Sequence, residues 1–274
     1  MMKELAKTRF RTFAIKLPVD WSDPTEQEAA RQYARAFQPG ELAAVPEPMP
    51  PALFLPASLN KYHCKAAKEI SDKLTEFIDG MCEAICSAWS QWQQTATLTG
   101  VVINAVVAAG GQVVGPPLAP LILASAPKAT PQEMKYATAI ANAIGQGWLA
   151  YQSSIKVPGL PWYPAFAAFP GPVAPPMPNT PVPVAALTQV TTGISKAQLK
   201  NAMVANLGDP EAAHHEELFD CIADAFEKCF LVWQTSTMVT NVLGTGPIPT
   251  FAPPFVPAGP VVGGVGNMIP GGFV

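Results

Sequence analysis

Three stretches of the chain can be laid over one another without a gap, so any fold must give all three equivalent surroundings. Met81, Ile85, Trp89, Trp92 and Gln93 in the first stand over Ile140, Ile144, Trp148, Tyr151 and Gln152 in the second. The third supplies Ile222, Phe226, Phe230, Trp233 and Gln234. The four large side chains of each copy fall at i, i+4, i+8 and i+11, which is one face of an α-helix. Matched copies of one spacing mark an internal repeat, in which each unit buries its apolar stripe against the others. Those large residues are therefore the expected core of the repeat, and a pseudo-threefold bundle is the arrangement they suit.

The absence of charge sets the rest of the pattern. Three tracts carry no charged residue at all: Ala84–Pro127, Val157–Ser195 and Cys229–Val274. Each runs on from a repeat helix into glycine and proline. Pro161–Val173 lies over Pro249–Val261 at a constant offset, while the first tract, at Gly110–Pro120, is shorter. Proline makes up 31 of 274 residues, about twice the usual share of ~5%. It lacks an N–H and fixes φ, so these tracts are expected as extended arms, partly polyproline II, turning at glycines.

Free proline-rich linkers are normally polar. These arms carry Trp162, Tyr163, Phe166, Phe251 and Phe255, and each large side chain left in water forgoes roughly 1.5–3 kcal/mol of burial. The arms must therefore lie on a surface. Gln93, Gln152 and Gln234, closing the helical motifs, are placed to hydrogen-bond arm backbone, and with the five aromatic residues they form the expected docking set. The first two arms suit this protein's own helices and a neighbour's equally. The last is read as reaching a neighbouring subunit.

The expectation is thus a mainly α protein with long Pro/Gly-rich extended arms and little regular sheet. An extended proline-rich N-terminal segment covers 1–57, with a short helix at Pro24–Phe37. Helix-plus-arm units follow at 58–127, 128–195 and 196–274. Ser58 or Asn60 can cap the first long helix, and Thr130 with Pro131 opens the second. Ser195 precedes a short helix that breaks at Gly208–Pro210 before the third. Lys3, Lys7, Arg9, Arg11 and Lys16 read as a solvated basic tail.

Composition and motifs argue against several kinds of chemistry. A net charge of −3 offers no broad basic face for nucleic acid. No secretory hydrophobic segment opens the chain, no Asn-x-Ser/Thr sequon occurs, and five cysteines make an odd count. Free thiols in a reducing cytoplasm are the natural reading. His214-His215-Glu216-Glu217 lacks the spacing that places two histidines on one face around a zinc. Cys64 and Cys82 on one continuous helix would lie about 27 Å apart, too far to share a metal. No phosphate-binding, dinucleotide-binding or nucleophile-elbow motif occurs. Neither a catalytic residue, a cofactor nor a metal is therefore expected. Ala84–Pro127 is long enough to cross a bilayer, but its Gln, Gly and Pro-Pro residues would leave backbone groups unpaired there.

Two arm segments, Pro158–Phe166 reading PGLPWYPAF and Gly244–Phe255 reading GTGPIPTFAPPF, resemble segments of structural proteins from tailed-phage virions and phage-like contractile particles. That resemblance implies a virion, capsid, tail or baseplate component. The expected function is therefore a non-enzymatic structural subunit cementing neighbours through its arms. Its partners would be other structural proteins of the assembly or further copies of itself. The alternative is a membrane-active or injected protein whose uncharged arms enter a bilayer.

Overall fold

The computed structural model describes residues 1–13, 59–191, 193–253 and 258–274. The expected Pro24–Phe37 helix, the extended segment around it, Ser58 and Phe255 lie outside the described residues.

The charge-free arms are not extended coil. Six α-helices and eight strands form among the described residues, a mixed α and β fold in place of the mainly α chain with little sheet. The helices are α1 (Met2–Thr12), α2 (Leu59–Thr95), α3 (Leu118–Ser125), α4 (Pro131–Ser154), α5 (Lys196–Leu207) and α6 (His215–Ser236). The strands are β1 (Thr97–Asn104), β2 (Val107–Val114), β3 (Val157–Leu160), β4 (Val173–Met177), β5 (Val182–Pro183), β6 (Met238–Val239), β7 (Val242–Pro247) and β8 (Gly264–Met268). β1, reading TLTGVVIN, is rich in the β-branched residues that fit a pleated surface. It turns back into β2 through Ala105, which takes φ of 51° without being glycine. Burial alternates along β1, β7 and β8, so one face of the sheet is buried and the other is exposed.

Six strands form one antiparallel sheet in the order β3-β2-β1-β8-β7-β4, and β5 pairs with β6 separately. Proline decides who sits at the edges. Pro158 lies in β3, and Pro175 with Pro176 lies in β4, where the pairing to β7 shifts register between Ala174 and Met177. A residue without an N–H is tolerated at an edge or a bulge but not in a central strand. The two edges belong to the same repeat, and the sheet curls until they approach each other. The Trp162 carbonyl, just past β3, accepts hydrogen bonds from the Thr180 N–H at 2.9 Å and from its hydroxyl at 3.2 Å.

The threefold repeat is deeper than the helical motif. Each unit is a short helix, a long helix and two sheet strands: α1, α2, β1 and β2; then α3, α4, β3 and β4; then α5, α6, β7 and β8. Each short helix wedges between its own long helix and that of another unit. α1 lies between α2 and α6, α3 between α2 and α4, and α5 between α4 and α6. In the sheet the same joint recurs three times, the first strand of one unit pairing with the second strand of another: β3 with β2, β1 with β8, and β7 with β4.

Residues read as a solvated basic tail form α1. Met2, Ala6 and Phe10 make a buried stripe. The lysines and arginine between them reach acidic partners on the flanking helices. Lys3 pairs with Glu83, Lys7 lies 3.4 Å from Asp79, and Arg9 Nε lies 2.8 Å from Asp220. α4 opens as its sequence suggests: Thr130 Oγ1 accepts from the Glu133 N–H while the Glu133 carboxylate accepts from the Thr130 N–H, both at 3.1 Å. Gly208 ends α5 with φ of 63°.

Candidate interaction surface

The large residues of the three motifs meet on the axis of the repeat. Met81, Ile85, Trp92, Ile140, Ile144, Trp148, Tyr151, Ile222, Phe226, Phe230 and Trp233 are buried, and Trp89 is partly so. Trp89, Trp92, Trp148 and Trp233 form one aromatic cluster, with edge-to-face centroid distances of 4.4 Å for Trp89–Trp148 and 4.6 Å for Trp92–Trp148. Such pairs add about 0.5–1.5 kcal/mol each beyond the area they bury. Four indoles at one crossing hold three long helices apart at a fixed spacing, which leaves room for the short helices between them.

Each motif glutamine lies where a long helix meets an arm. Gln93 Nε2 donates to the Phe273 carbonyl at 2.9 Å. Gln152 Nε2 donates to the Val113 carbonyl at 3.3 Å, and its Oε1 accepts from Trp92 Nε1 at 2.9 Å. Gln234 departs from this pattern: its amide donates at 3.0 Å to the Tyr151 hydroxyl, which in turn donates to Gln189 on the second arm. Burial pushes the Tyr151 phenol up to about 12, so it stays protonated as both donor and acceptor.

The arms lie on this chain. Trp162, Tyr163 and Phe166 are buried, and Phe251 packs partly buried against the core. Tyr163 enters the sheet interior over Gly244 and Gly266, where side chains would collide with its ring and hydroxyl, and its hydroxyl donates to the Val242 carbonyl at 2.8 Å. The last arm, read as reaching a neighbour, returns to its own chain. β8 lies between β1 and β7, Phe169 exchanges backbone hydrogen bonds with Gly259, and Phe273 packs against Trp92 at 5.4 Å.

None of the eight strands carries a charged residue. Among the described residues the acidic and basic groups sit on the helices and their flanks, where Asp220 and Asp224 hold Arg9, Lys196 and Lys228. The exposed face of the sheet is correspondingly uncharged, with Thr99, Asn104, Gln112 and Asn267 as its polar residues. Val102 stands opposite Ala109 on one side and Val265 on the other, forming a row across β2, β1 and β8. Val102 is 49% exposed and Val265 47%, and Val107, Val114, Val173, Val262 and Ile269 are exposed around them. Sequence reasoning missed this face because it read the arms as coil. The run of β-branched residues in β1, TLTGVVIN, was the available signal.

The thiols offer little nucleophilic chemistry. Burial raises Cys82 to about 12 and pushes Cys86, Cys221 and Cys229 in the same direction, which keeps them as thiols rather than reactive thiolates. Among the described residues, no group of three His, Cys, Asp or Glu side chains is placed to hold a metal ion, and no helix is long and apolar enough to cross a membrane. No family model, curated protein or solved structure matches the chain.

Proposed function

We propose that this protein is a non-enzymatic structural subunit of a larger assembly, holding its neighbours through the charge-free half that its three arms build. One observation carries the reading: a curled six-stranded sheet exposes Val102 and Val265 side by side and contains no charged side chain in any strand. A free surface is ordinarily about 25–35% charged, and contiguous exposed apolar area marks an interaction site. The partner is a protein surface that is itself apolar and uncharged, since buried unpaired charge costs several kcal/mol. The likeness of Pro158–Phe166 and Gly244–Phe255 to phage structural segments names the class of particle: a virion or phage-like tail, assembled in a bacterial cytoplasm.

Mass spectrometry of purified particles tests this directly. The chain is expected at a fixed ratio to the major structural proteins, and its absence from mature particles would reject the proposal. The same valine face could instead rest on lipid, so flotation of the purified full chain with liposomes is the complementary measurement. Co-flotation would replace the assembly reading with a membrane-surface one.

A further inference from the structure

The repeat creates three equivalent grooves between long helices, and in two of them the chain leading into a short helix crosses the groove, in one case leaving a cleft of about 300 Å³ between Gly115–Ala119 and α4. Between α2 and α4, Gly115 lies so close to Trp92 that any Cβ on it would overlap the indole Nε1. Between α4 and α6, Gly193 crosses directly over Gly147, where a Cβ would overlap the Gly193 carbonyl. Both occupants are uncharged backbone with glycine at the point of closest approach.

The third groove, between α6 and α2, is open among the described residues. It is a cleft of about 260 Å³ whose walls include Met2, Cys86, Trp89, Cys229 and Trp233, and none of its lining residues is charged. Its floor is low for the same reason as the others. Cys229 occupies the repeat position held by Gly147 on α4, where the Gly193 backbone crosses, and by Ala88 on α2, so all three long helices carry a small residue there.

We propose that the α2–α6 groove receives an extended, charge-free segment of a neighbouring protein, with a glycine crossing Cys229. This rests on the assembly reading for the source of the segment. The recognition itself rests on what crosses the two sister grooves.

A synthetic peptide with the sequence of Val113–Leu121, VVGPPLAPL, is the probe, titrated into the full chain. Tryptophan emission reports binding, and alkylation of Cys86, mapped by peptide mass spectrometry, reports occupancy. Saturable binding is expected, with Cys86 alkylated about tenfold more slowly at a peptide concentration ten times Kd. Cys229→Leu, which raises the floor, and Ser90→Glu, which puts a charge on an exposed part of the groove wall, should each weaken binding at least several-fold. Ser90→Glu keeps the test interpretable if Cys229→Leu fails to fold. A version with lysine for both leucines should not bind.

Absence of saturable binding overturns the proposal. So does a Cys86 already as unreactive as Cys221 in the protein alone, because the groove is then filled by this chain or a second copy, which light scattering over a dilution series distinguishes. If the peptide fails while the chain is found in particles, the groove assignment falls and the assembly reading stands.

Discussion

Gly147 illustrates how a residue's effect depends on what crosses it. In a helix interior glycine is ordinarily about 1 kcal/mol worse than alanine, so Gly147→Ala should stabilise an isolated α4. In the folded protein the new Cβ would meet the Gly193 backbone, and backbone cannot rotate away. Gly147→Ala is therefore expected to destabilise by about 1–3 kcal/mol, read as a lower urea midpoint with the helical circular dichroism otherwise retained. The glutamines separate by burial in the same way. Gln152→Leu leaves both the Trp92 indole N–H and the Val113 carbonyl short of a partner inside the core, at about 1–3 kcal/mol for each unpaired group. Gln93 is only half-buried, so water can replace it at Phe273, and Gln93→Leu should shift the same urea midpoint less. An equal loss in the two variants would show that burial is not what ranks them.

The docking of α1 is the element most exposed to solution conditions. Burial tends to raise the Asp220 carboxyl, but its bonds to Arg9 and Lys196 outweigh that and hold its pKa below the ordinary carboxylate value. A carboxylate with a depressed folded pKa contributes stability that is present above its unfolded pKa and lost as pH falls through the folded one. Stability should therefore decline between about pH 5 and pH 3, with α1 among the first helices to loosen. Asp220→Asn should start less stable at pH 7 and decline more shallowly, measured by urea melts across that range. α1 was hard to see in the sequence because Lys3, Lys7 and Arg9 alternate with its buried stripe, and charge density suggested solvent. The long helices were legible because their stripes are large and thrice repeated. The strands were hidden by a different cause. Dense proline suggests arms extended throughout, whereas in the six-stranded sheet it is confined to the edge strands β3 and β4 and to the last residue of β7. The β1–β2 turn carries Ala105-Val106 rather than the glycine-containing pair that usually announces a hairpin. The axial core could be read ahead of the structure, but the valine face could not, since a surface exists only once its strands are paired.

At the scale of the molecule, three equivalent units make a demand that can be tested by moving the ends of the chain. In the second unit α3 and α4 are joined by a short exposed loop around Lys128 and Ala129, and at the equivalent place in the first unit the link from α1 to α2 runs from residue 13 to residue 59. A fold that accepts so long a connection there should accept a break at its counterpart. The two ends of the sequence also come near one another. Gln93 donates to the Phe273 carbonyl and lines the same cleft as Met2, so a linker of roughly six residues, reaching about 20 Å, can join them. A circular permutant opened between Lys128 and Ala129, with Val274 joined to Met1 through glycine and proline, should fold with one cooperative thermal transition and an unchanged circular dichroism spectrum. Its linker would run where Gly115 and Gly193 run in the sister grooves, so it should also protect Cys86 and abolish binding of the Val113–Leu121 peptide. A permutant that folds but still binds the peptide would mean that the third groove differs in kind from the other two. One that does not fold would mean that the long α1–α2 link contributes more than connection, and that the equivalence of the three units stops at their helices and strands.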